Sequence, residues 1–102
     1  MPREIPLATP GEILQEDFLT PLDITPNALA EALDIPAERI EEIIHGRRAI
    51  DADSALRLAK FFGTDAQSWL NLQAHYDTEQ ARETLNDALE RIQPYQPRHE
   101  VH

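Results

Sequence analysis

Cysteine is absent from the 102-residue sequence, which excludes a disulfide framework, a Cys-ligated zinc or iron–sulfur site and a thiol nucleophile. A chain without cysteine fits the cytoplasm. Glycine occurs three times and aromatic residues make up 6%, too little for a glycine-rich phosphate loop or for a sandwich of aromatic strands. No positively charged start leads into a secretory apolar stretch, and no run approaches the roughly 20 apolar residues that span a bilayer. One soluble all-α domain is therefore expected. Basic residues are also scarce: nine stand against nineteen acids, for a formal charge of −10. Such a charge opposes nucleic acid binding and suits a basic protein partner. Its distribution is uneven, with net −6 over residues 1–35, zero over 36–60 and −4 over 61–102.

Proline and threonine punctuate the chain. Residues 1–8 hold two prolines and no periodic pattern, so an extended arm is expected there. Thr9-Pro10-Gly11-Glu12 has the form of a capping box with proline at the first helical position. Ile13, Leu14, Phe18 and Leu19 follow on one face until Pro21 interrupts. A second start at Thr25-Pro26 leads into a stripe of Ala28, Leu29, Ala32 and Leu33 ending at Asp34. Pro36 opens a third helix with Ile40, Ile43 and Ile44 inward and Gly46 after its end. Asp51 caps a fourth, carrying Ala55, Leu58, Ala59 and Phe62, and Gly63 stops it. Thr64 with Gln67 repeats the capping box and opens a long fifth helix through Trp69, Leu72 and Tyr76 toward Ile92. Asp77, with Gln80 three residues on, could start a new helix, so a break near Asp77 is open. The domain is expected over 9–93, with a flexible tail over 94–102.

Two short helices joined by Asp34-Ile35-Pro36 have the helix-turn-helix arrangement, in which the second helix enters the major groove. Aspartate tolerates the positive φ that such a turn needs, and Ile35 fills the space between the helices. With Ile40, Ile43 and Ile44 buried, Ala37, Glu38, Glu41, Glu42 and His45 form the outward face. A glutamate can accept from a cytosine amino group, and an alanine can pack on a thymine methyl. Arg47 and Arg48 directly after the helix, with Arg39 near its start, are candidate phosphate contacts, as are the amides around Asn27. The same helical pair would also serve a purely structural role.

Trp69, Leu72 and Tyr76 are expected to close the core over the first and fourth helices. Ala81, Leu85, Ala88 and Ile92, widened by Leu89, have the spacing of a short coiled-coil seam. The seam can fold back, pair two copies or receive another protein; dimerisation is the reading adopted. His99-Glu100-Val101-His102 spaces its histidines three apart on a polar tail, unlike a zinc helix motif. No cofactor, metal, small-molecule substrate or catalytic grouping is expected.

Pro10-Gly11-Glu12-Ile13-Leu14, Leu29-Ala30-x-x-Leu33-Asp34-Ile35-Pro36, Ile43-Ile44-His45-Gly46-Arg47-Arg48, Ala55-Leu56-Arg57-Leu58-Ala59 and Trp69-Leu70-Asn71-Leu72-Gln73-x-x-Tyr76-Asp77 together resemble the HigA family of antitoxins. These belong to the Xre-type, lambda-repressor-like helix-turn-helix regulators. The resemblance covers roughly residues 9–92 and rests on the joint order of these blocks. It implies a non-enzymatic homodimer that represses its own operon at a palindromic operator and neutralises a HigB-like ribonuclease toxin of the RelE-like fold. It also implies base-reading positions at Ala37, Glu38 and Glu42 and phosphate contacts at Asn27, His45, Arg47 and Arg48. Pro26-Asn27 and Asp34 depart from the glutamine and glycine common in Xre domains, and the third helix is more acidic than usual. An acidic interaction module that sequesters a basic partner without specific DNA binding is the alternative.

Overall fold

A computed structural model describes residues 7–97. The expected arm, apart from Leu7 and Ala8, and the tail histidines lie outside the described residues. The described residues form six helices, so the all-α expectation holds with one helix more than the five foreseen.

Helix α1 begins at Pro10–Ile13, where Thr9 Oγ1 accepts from the Glu12 amide at 3.0 Å and Glu12 returns the bond to the Thr9 amide at 2.9 Å. Its middle, Leu14–Leu19, is π-helical, and it closes over Thr20–Leu22. Pro21 was expected to interrupt α1, yet the helix continues through it. Proline lacks an N–H and its ring crowds the carbonyl four residues back; the wider π turn before it relieves that conflict. Asp23, at φ 59°, ends α1, and the Ile24 amide reaches back to the Leu19 carbonyl at 2.9 Å.

Helix α2 (Pro26–Leu33) is capped by Thr25, whose hydroxyl accepts from the Ala28 amide at 3.1 Å. Its stripe differs from expectation: Leu29, Ala30 and Leu33 are buried, while Ala28 and Ala32 face outward. Alanines on every side of a short helix leave its rotation to be fixed by the leucines. Helix α3 (Ala37–Ile44) buries Ile40 and Ile43, with Ile44 half-buried. Helix α4 (Ala52–Phe62) starts where Asp51 accepts from the Ser54 amide at 2.9 Å and stops at Gly63, φ 71°.

Helix α5 (Ala66–Thr84) is capped by Asp65 rather than Thr64, at 3.2 Å from the Ser68 amide. Thr64 instead accepts the Trp69 indole N–H at 2.8 Å, so the buried tryptophan has its polar partner. Asp77 starts no helix; it accepts from the Gln73 side chain at 2.9 Å on an unbroken helix. The break falls at Leu85 (φ −97°, ψ 8°), just after Thr84 donates to the Gln80 carbonyl at 3.2 Å, a back-bond that bends helices. Helix α6 (Asn86–Glu90) follows.

Leucine and isoleucine from α1 to α4 make one core with Trp69. Phe18, Phe62 and Trp69 stack as a tilted trio with centroids 4.9 to 6.3 Å apart, tying α1 and α4 to α5 as expected. Leu72 packs against this core, whereas Tyr76 lines a shallow cleft beside Thr9, Gly11 and Arg47. Ile50, in the loop before α4, is also fully buried, and its amide donates to Gln73 Oε1 at 2.8 Å. Gly11 lies so close to α3 that a Cβ there would stand 1.8 Å from the Ile43 carbonyl oxygen. No helix among the described residues is long and apolar enough to cross a membrane.

Candidate nucleic-acid interface

The turn between α2 and α3 is built from Asp34, Ile35 and Pro36. Asp34 takes the left-handed conformation at φ 60°, and the amides of Asp34 and Ile35 satisfy the carbonyls of Glu31 and Ala30, each at 3.1 Å. Ile35 packs against the core, as expected. Pro36 ends the turn in extended backbone and starts α3.

Two arginines fasten this unit to α4. Arg57 Nη1 donates to the carbonyls of Leu33 at 2.7 Å and Asp34 at 3.3 Å, while its Nε donates to Asp53 at 2.7 Å. Arg39 Nη2 donates to the same Asp53 oxygen at 2.6 Å and to the buried Ser54 hydroxyl at 2.9 Å. Arg39 was expected to meet phosphates. Its side chain is instead only 20% exposed and spans from α3 to the start of α4, where the N-capping carboxylate of Asp51 also lies within 3.6 Å. The hydrogen bonds from Arg57 and then Arg39 hold Asp53 below the ordinary carboxylate range. The Ser54 amide and hydroxyl, followed by Arg39, do the same for Asp51. Sequence reading missed Arg57, although its i, i+4 spacing from Asp53 was a readable signal.

The outward face of α3 carries Glu38, exposed, with Glu41 and Glu42 half-buried. Ala37, expected on this face, is turned partly inward against the core. His45 ends the helix, its Nδ1–H donating to the Glu41 carbonyl at 2.8 Å. Gly46, at φ 77°, then reverses the chain. Arg48 Nε thereby returns to Glu42 Oε1 at 2.8 Å, while Arg47 is exposed without an ion pair among the described residues. Asn27 is exposed in the first turn of α2; Pro26 has no N–H and the Ala28 and Leu29 amides bond to Thr25, so the Asn27 amide and the helix dipole are what this end offers an anion. Of the seam, Leu85, Leu89 and Ile92 are 46%, 44% and 65% exposed, Ala81 is exposed and Ala88 half-buried. No group of three or more potential ligands among the described residues could hold a metal ion.

A helix-turn-helix family model matches residues 16–69, spanning the unit and its supports. The antitoxin HigA of Pseudomonas aeruginosa, solved with the higBA promoter, is 41% identical with a TM-score of 0.82, over 85% of this chain and 96% of that one. An addiction module antidote protein of the HigA family from Coxiella burnetii is 43% identical with a TM-score of 0.83, over 89% and 100%. The chain belongs to the HigA antitoxin family. Virulence-associated protein I of Dichelobacter nodosus is similar as well, 49% identical over 86 residues, or 81% of this chain and 80% of that protein. HigA membership makes this chain a non-enzymatic, Xre-type regulator, and the chemistry of its site is binding. The acidic α3 is held against α4 by the Arg39–Asp53–Arg57 network.

Proposed function

We propose that this chain is the antitoxin of a type II toxin–antitoxin pair, acting in the cytoplasm as a homodimer. It neutralises a HigB-like ribonuclease by direct binding and represses its own operon at a palindromic operator. One observation supports the operator half above all. The α3 face, the Arg47–Arg48 loop and the start of α2 belong to one rigid helix-turn-helix unit, in a chain 41% identical to a HigA solved with promoter DNA. Asn27, His45, Arg47 and Arg48 are the DNA contacts flanking α3 in this reading, and α3 is the element in the groove.

Two-fold operators call for two-fold proteins. The apolar residues Ala81, Leu85, Ala88, Leu89 and Ile92, divided by the break at Leu85 among the end of α5, α6 and the segment after it, are the dimer contact in this proposal, because the leucines and isoleucine are 44% to 65% exposed in the single chain. The acidic body around it, net −10 over the chain, suits a basic toxin. Co-expression with a HigB-like ribonuclease toxin, combined with titration of the purified chain on its own upstream DNA, tests both halves. Growth rescue and a stoichiometric complex are expected, along with binding that weakens steeply with salt. A chain that rescues growth but binds no duplex would leave the sequestering module as its function.

A further inference from the structure

The loop after α3 is organised by a single residue. The backbone carbonyl of Glu42 accepts from the amides of Arg47 at 2.7 Å and Arg48 at 3.2 Å, and its carboxylate accepts Arg48 Nε at 2.8 Å. The two side chains are 46% and 42% exposed, so the pair stands at the protein surface, at the C-terminal end of α3. Resting on the operator reading above, we propose that Arg48, buttressed by Glu42, reads a guanine in the operator, with Glu42 a positioning residue and Arg47 the phosphate contact.

The argument is one of charge and direction. An arginine gains from phosphates through its net charge, which displaces counterions. In Arg48 that charge is offset by the Glu42 carboxylate, so its long-range gain is small, whereas unpaired Arg47 keeps its own. Pairing leaves direction intact. With Nε engaged, Nη1 and Nη2 remain as a planar fork, without partners among the described residues, and this fork matches guanine O6 and N7. Ordering the long side chain beforehand also lowers the entropy lost on contact. The Glu42 carboxylate, with one oxygen already accepting, no longer meets the phosphates as a bare charge, which removes one of the three acidic charges on the outward face of α3.

The test uses the full chain on duplexes from its own upstream DNA, located by footprinting, with each guanine replaced in turn by 7-deazaguanine. This base keeps pairing and phosphates but lacks the N7 acceptor. One guanine per half-site should cost the wild-type chain about tenfold in affinity. R48A should bind the natural duplex about tenfold more weakly or worse and lose that guanine's effect. E42A should shrink the effect, and E42Q, whose amide oxygen still accepts from Nε, should restore part of it. The wild-type arm depends on no variant folding. If wild type is indifferent to every 7-deazaguanine, or if R48A weakens operator and scrambled duplexes alike with a flatter salt slope, the guanine reading is overturned while operator binding stands. Absence of duplex binding by the wild-type chain would overturn both.

Discussion

Replacing Gly11 by alanine should separate α1 from α3. Gly11 is buried in the first turn of α1, and a Cβ there would lie 1.8 Å from the Ile43 carbonyl oxygen, 2.7 Å from its carbon and 2.8 Å from the Ile44 Cα. All three are backbone atoms, so no rotamer change can make room. Recovering an ordinary 3.4 Å contact would require the two backbones to part by about 1.6 Å. Forcing one carbon into a packed interior costs about 1–3 kcal/mol, and a rigid neighbour puts this case at the upper end. Alanine returns about 1 kcal/mol through its better helix propensity. The net loss is then about 2 kcal/mol, roughly 8–16 °C in Tm for a domain of this size. Urea unfolding followed by circular dichroism would read it as a midpoint lowered by about 1 M with an unchanged slope. The displaced strand of backbone leads straight into His45 and Gly46, so binding to promoter DNA should fall beyond what the unfolded fraction explains. A variant as stable as wild type, or more stable, would refute the close approach of α1 to α3.

L85E combined with L89E should give a folded monomer by sedimentation, and an unchanged dimer would remove the stripe from the interface. R47A should weaken binding to operator and scrambled duplexes alike and lower the slope of log K against log salt by about one unit; sequence-selective loss would contradict a phosphate role. Hydrogen bonds from Ser54 to Asp51, and from Arg57 and Arg39 to Asp53, hold both carboxyls below the ordinary carboxylate range when folded. Each therefore adds stability that is fully present above the unfolded pKa and is lost as pH falls through the folded one. D51N keeps a capping oxygen and should stay within about 0.5 kcal/mol of wild type at pH 7. Its stability should decline less between pH 5 and 2, and a decline as steep as that of wild type would show that Asp51 does not carry this dependence.

Local chemistry made much of the fold legible in the sequence alone. Thr9, Thr25 and Asp51 cap helices because their side-chain oxygens serve amides three residues on, and Asp34, Gly46 and Gly63 take positive φ where each helix must end. Such interactions lie within a few residues of one another, so order along the chain fixes them. The apolar spacing of Ile40 with Ile43 and of Ala55 with Leu58 likewise named the inner faces of α3 and α4. What only the tertiary structure decided depends on groups from different helices and on how the chain folds back between them. Arg39 braces α3 against α4 because α4 brings Asp53 and Ser54 within 3 Å of it. Glu42 became a support for Arg48 because Gly46 folds the loop back over α3. Pro21 stayed helical through a π turn, and Ala30 rather than Ala28 or Ala32 went inside, because the core fixed the rotation of α2 where alanine spacing was ambiguous. Charge identity is written in the sequence, but the partner that each charge meets is chosen by packing.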